Sequence, residues 1–135
     1  MKLPLRRRSV GMLLLCACVL TACTDGPDPS VPSAGPTSTS TSAAPSAAAL
    51  ADRYQQSGGD PDVYGIDKEP GTDGGAPRLV IRTRNPDSDD AVFQKQKESI
   101  VRFLTREEGL SPTQGYFMDV YGPDGALLHR LDARP

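Results

Sequence analysis

Apolar positions recur at helical spacing over residues 89–108. Val92, Phe93, Gln96, Ile100, Phe103 and Leu104 fall on one face, and Lys95, Glu98, Arg102 and Arg106 on the other, the signature of an amphipathic helix. Asp87, Ser88 or Asp89 can cap its start, where acids also suit the helix dipole. Gly109 supplies the stop, Leu110 can fold back on Leu104, and Pro112 forbids continuation. Elsewhere the period changes to two. Leu79, Ile81 and Thr83 share one side of a strand over residues 78–84. A weaker strand over residues 63–68 can pair with it across Pro70-Gly71-Thr72-Asp73-Gly74-Gly75. Residues 116–121 and 126–131 flank Gly122-Pro123-Asp124-Gly125, which suits a hairpin closed by a type I turn with a bulge. A shorter helix over residues 47–56 places Leu50, Ala51 and Tyr54 on one side, with Ser46 as its cap.

The order is α-β-β-α-β-β. It predicts an α+β fold with both helices on one face of a small, mostly antiparallel sheet. All seven Tyr and Phe residues lie between Tyr54 and Tyr121, so the domain is placed at residues 50–135, enough for one small core. Asp-Val-Tyr-Gly occurs at Asp62–Gly65 and again at Asp119–Gly122; the repeat reads either as a decayed duplication or as chance. Through its Asp-Gly turn and the closing Leu131-Asp132-Ala133, the last hairpin resembles the PepSY type of extracytoplasmic module; the long second helix departs from that pattern.

The first 49 residues have no such patterning. Lys2, Arg6, Arg7 and Arg8 precede an apolar run over residues 10–20, followed by Thr21, Ala22 and Cys23. A positive start, a short apolar run and a small-residue cut site make a secretory signal. The run is too short to span a bilayer, which takes roughly 20 residues. Leu20-Thr21-Ala22-Cys23 resembles the lipobox of bacterial lipoproteins. The resemblance implies cleavage between Ala22 and Cys23 and a diacylglyceryl thioether on Cys23. It therefore implies a signal over 1–22 and a lipid anchor on the outer face of the cell membrane. Residues 23–49 are Ser, Thr, Pro, Ala and Gly with little charge, a composition expected to form a disordered tether. Lipobox and tether together resemble lipoproteins of high-GC Gram-positive bacteria.

Cleavage also changes the charge. The whole chain carries 15 Lys and Arg against 17 Asp and Glu; removing the four basic residues of the signal leaves 11 against 17, a net charge of −6. An acidic exported chain does not suggest a nucleic-acid partner, whose phosphates need Lys and Arg. Of three cysteines, Cys16 and Cys18 leave with the signal and Cys23 is taken by lipid. No thiol then remains for a disulfide, a metal site or a nucleophile.

Candidate chemistry in the domain is sparse, and no cofactor motif is present. A three-residue hairpin turn would set Asp119 opposite His129, the only histidine. Such a pair can orient a catalytic base, or form a plain cross-strand polar contact. Arg78, Arg82 and Arg84 alternate along one strand and form a possible ligand face for an anionic wall polymer or lipid headgroups; more often such a row is the solvent face of a half-covered sheet. Asp60, Asp62, Asp67, Glu69 and Asp73 crowd one loop, which reads as a solvated acidic loop, and Asp60-x-Asp62-x-Tyr64-Gly65 within it echoes the start of a calcium loop. Tyr64 stands where a third ligand belongs, and no metal site is assigned. The expected function is a lipid-anchored binding module for an envelope protein or wall polymer. A small envelope enzyme using Asp119 and His129 or a carboxylate site, and a passive spacer, are the alternatives.

Overall fold

A computed structural model describes residues 35–135 of the chain. The signal, the Ala22–Cys23 cut and the first part of the expected tether lie outside the described residues. The elements are α1 (Pro45–Gln56), β1 (Val63–Glu69), β2 (Arg78–Thr83), α2 (Asp90–Glu107), β3 (Phe117–Tyr121) and β4 (Leu127–Asp132). Single 3-10 turns lie at Thr72–Gly74 and Pro112–Gln114. The fold is α+β: two helices and a four-stranded sheet in the order β1-β2-β3-β4. β1 and β4 pair antiparallel with their neighbours, and the central β2–β3 pair is parallel. That one parallel pair follows from α2, which carries the chain back across the sheet.

Local chemistry sets the element ends. The Asp89 carboxylate accepts from the Ala91 amide at 2.8 Å, capping α2. Gly109, at φ 64°, ends the helix, and the Leu110 amide then donates to the Leu104 carbonyl while its side chain buries. The cap of α1 differs from expectation. The helix starts at Pro45, with Ala44 in the capping position and no side-chain bond. Proline suits the first helical turn, where its missing N–H has no partner to lose. In the last hairpin the Gly125 amide donates to Gly122, and Gly125 takes φ 77°, the turn-plus-bulge anticipated from Pro123-Asp124-Gly125.

The core lies between the helices and one sheet face. Leu50, Ala51 and Tyr54 of α1 and Phe93, Ile100, Phe103 and Leu104 of α2 meet Val63, Ile66, Leu79, Ile81, Met118 and Val120 of the strands. The Tyr54 ring packs edge-on to Phe103 at 5.5 Å, and its hydroxyl donates to Ser99 Oγ at 2.9 Å. The two Asp-Val-Tyr-Gly segments are not equivalent. The first spans the start of the edge strand β1 and the second the end of the inner strand β3, so the structure gives no support to a duplication.

The largest difference from expectation concerns residues 35–49. They are not a tether. Residues 45–49 begin α1, and residues 35–44 run as a strap along the second face of the sheet. The domain therefore begins at Gly35 rather than at Leu50.

Candidate functional site

Strand alternation sends Arg78, Val80 and Arg82 of β2 away from the helices, together with Asp119 and Tyr121 of β3 and Arg130 of β4. The register brings them together: Val80 lies beside Asp119, Arg82 beside Tyr121, and Arg130 opposite Asp119. Asp119 is only 1% exposed. Its Oδ2 accepts from Arg78 Nη1 at 2.6 Å, and Arg130 grips both carboxylate oxygens, Nε to Oδ1 at 2.8 Å and Nη2 to Oδ2 at 3.2 Å. The two arginine side chains keep 24% and 28% exposure. A buried carboxylate held by two guanidinium groups is a charge-assisted hub joining three strands.

The strap closes over this hub. Pro36 O accepts from Tyr121 Oη at 2.8 Å and from Arg130 Nη2 at 2.7 Å. Arg82 donates from Nε to Ser40 O and from Nη2 to Thr39 Oγ1, both at 3.2 Å. The Thr39 amide donates to Gly125 O at 2.9 Å, and the Leu127 amide to Thr37 O at 3.0 Å. A side chain on Gly125 would come within 2.4 Å of Thr39 O, so this glycine serves both the turn and the close approach of the strap. Burial, and secondarily the Asp119 charge, raises the Tyr121 hydroxyl above its ordinary value. The hydrogen bonds to Asp119 raise Arg130.

These contacts revise the expected ligand face. Arg78 and Arg82 are engaged by Asp119 and by the strap. Arg84 lies past the end of β2, with its guanidinium 5.1 Å from the centre of the Tyr64 ring. The three do not form an open cationic row. Arg130, which completes the hub, was missed by sequence reasoning, although a signal for it existed. Met118 and Val120 face the core, so Asp119 must face away; Leu131 packs against the core, so Arg130 must face away with it.

The same alternation removes the Asp119–His129 pair. His129 lies opposite Val120, not Asp119, because a bulge between Val120 and Tyr121 shifts the register of the hairpin. His129 therefore points to the helix side. It stacks on Phe93 with centroids 4.2 Å apart and an interplanar angle of 11°. Its side chain is 14% exposed, and Nδ1 stands 4.0 Å from an oxygen of Asp90. The acidic loop is likewise occupied locally: Asp60 accepts from the Asp62 amide at 2.9 Å and from Gln96 Nε2 at 3.2 Å. Among the described residues, no three His, Cys, Asp or Glu side chains are grouped to hold a metal ion.

A concave feature with a mostly apolar lining runs along α2, against the Pro112–Gln114 turn. It encloses about 430 Å³ and is lined by Val101 and Tyr116, with Lys97, Arg102, Arg106 and Glu98 around them. Burial raises the Tyr116 hydroxyl above its ordinary value. Neither Asp119 nor His129 lines this groove. Comparison with protein-family models, curated proteins and solved structures finds no match to this chain.

Proposed function

We propose that this chain is a lipid-anchored extracytoplasmic binding module that presents the α2 groove to an acidic partner in the cell envelope. The observation that carries this reading is the groove itself, whose lining combines Val101, Pro112 and Tyr116 with three cations and one acid. Such a surface suits a partner with apolar and anionic groups. The polar groups expected to do chemistry are used elsewhere, Asp119 in the strap-side hub and His129 against Phe93.

The anchor follows from the lipobox at Leu20–Cys23. No helix among the described residues is long and apolar enough to cross a membrane. Eleven residues separate Cys23 from Gly35, so covalent reach limits Gly35 itself to about 43 Å from the lipidated residue. A partner at the α2 groove is accordingly sought in the layer next to the membrane.

The test is photo-crosslinking in intact cells, with the probe at Thr105 in the groove and at the exposed Asp52 of α1 as control. The reading expects a discrete adduct from Thr105 alone. Protease sensitivity of that adduct then distinguishes a protein from a wall polymer. The same adduct pattern from both positions refutes the groove. An N-terminal mass without the thioether-linked lipid on Cys23 refutes the anchor.

A further inference from the structure

We infer that the strap is a releasable length of tether, which peels from the sheet under load and lets the folded domain move further from its anchor. None of residues 35–44 is buried: Gly35, Thr39 and Ala43 are half-buried and the other seven are exposed. None of them belongs to the hydrophobic core, whose first member is Leu50. Seven hydrogen bonds hold the strap to the rest of the domain. Pro36 O accepts from Tyr121 and Arg130, and Thr37 O from the Leu127 amide. Thr39 Oγ1 and Ser40 O accept from Arg82, and Thr41 O from Tyr64 Oη at 3.1 Å. The Thr39 amide donates to Gly125 O.

A neutral hydrogen bond nets about as much as the freedom that one ordered residue gives up, and a bond from a guanidinium somewhat more. Seven bonds, three of them from guanidinium groups, therefore roughly offset the ordering of the strap. The core is held by buried apolar area in which the strap has no share. Attachment of the strap is thus near balance, and it opens before the domain unfolds. The geometry also sets the order of release. Load from the N-terminal side enters at Gly35, reaches the two bonds of Pro36 first and meets the others in sequence up to Thr41. Bonds broken one after another resist less than bonds loaded together.

Twenty-one residues separate Cys23 from Pro45, against eleven from Gly35. Release therefore raises the covalent reach from about 43 Å, measured to Gly35, to about 79 Å, measured to the start of α1. A partner held at the α2 groove beyond the shorter reach supplies the load. That use rests on the anchoring of Cys23 and the groove proposed above; the release itself does not.

The test pulls residues 23–135 with Cys23→Ser between tags at the two ends while the length is recorded. An early gain of up to about 36 Å, the length of residues 35–44, is expected before the domain unfolds. Ser38 and Ala126 are exposed, lie opposite one another and are flanked by the Thr39–Gly125 and Leu127–Thr37 bonds. Such a non-hydrogen-bonded pair has its Cα atoms about 4.5 Å apart, within disulfide reach. Ser38→Cys combined with Ala126→Cys, once oxidised, leaves only residues 35–37 free to peel. The early gain should then fall to about 11 Å and return on reduction. In solution the Thr39 and Leu127 amides should exchange with deuterium at least about tenfold faster than the Ile81 amide. A single step that releases strap and domain together overturns the inference. So does an early gain that the oxidised lock leaves unchanged, or exchange no faster than at Ile81. An N-terminal mass without the lipid on Cys23 refutes the anchor alone: the early step stays, and only its use as reach is lost.

Discussion

Replacing Asp119 by Asn tests the hub most directly. The substitution keeps the shape of the side chain and removes its charge. It converts one acceptor oxygen into a donor that faces guanidinium groups. Three bonds are affected, one from Arg78 and two from Arg130. Breaking a fully buried ion pair by removing one partner costs about 3–5 kcal/mol. Here the carboxylate is buried but the arginines keep 24% and 28% exposure, so they rehydrate and the loss is screened. We expect a loss of about 2–3 kcal/mol, or about 10–20 °C in Tm for a domain of this size. Urea and thermal unfolding of residues 23–135 carrying Cys23→Ser measure it. A double-mutant cycle then assigns the partner. Coupling of Asp119→Asn with Arg130→Ala should exceed about 1 kcal/mol, and coupling with His129→Ala should stay below about 0.5 kcal/mol. Stability of Asp119→Asn within about 0.5 kcal/mol of the unsubstituted chain, or stronger coupling to His129 than to Arg130, refutes the reasoning.

Three further outcomes follow from the same geometry. Gly109→Ala forces a side chain into φ 64° at the end of α2 and should cost about 1–2 kcal/mol, read from urea midpoints. Asp89→Ala removes the α2 cap and should cost about 1 kcal/mol; helical signal lost without a shift of the midpoint would contradict it. The raised Tyr121 hydroxyl favours the neutral form in the folded state. Its contribution is therefore complete below the unfolded value of about 10 and fades as pH rises through the higher folded value. Tyrosinate absorbance of Tyr121→Phe, compared with the unsubstituted chain, should show that the missing titration is one lying above pH 10.

The elements were legible because each depends on neighbours along the chain. Helical spacing from Phe93 to Leu104, the Asp89 cap, the Gly109 stop and the Pro123-Asp124-Gly125 turn are local chemistry, and they recur in the structure where the residues placed them. The α+β class followed from their order. The proposed lipobox would be equally local, since four adjacent residues, Leu20 to Cys23, carry the resemblance. Tertiary structure decided the rest. One bulge at Val120–Tyr121 chose the hairpin register, and with a side-chain period of two that choice sent His129 to the core side and gave Asp119 to Arg130. The strap was hidden for a related reason. Ser, Thr and Pro cannot bury enough apolar area to order themselves, so composition alone reads residues 35–44 as loose chain. They are held instead by donors from Tyr121, Arg82, Arg130 and Leu127, which lie 40 or more positions away and share one surface only after the sheet has formed.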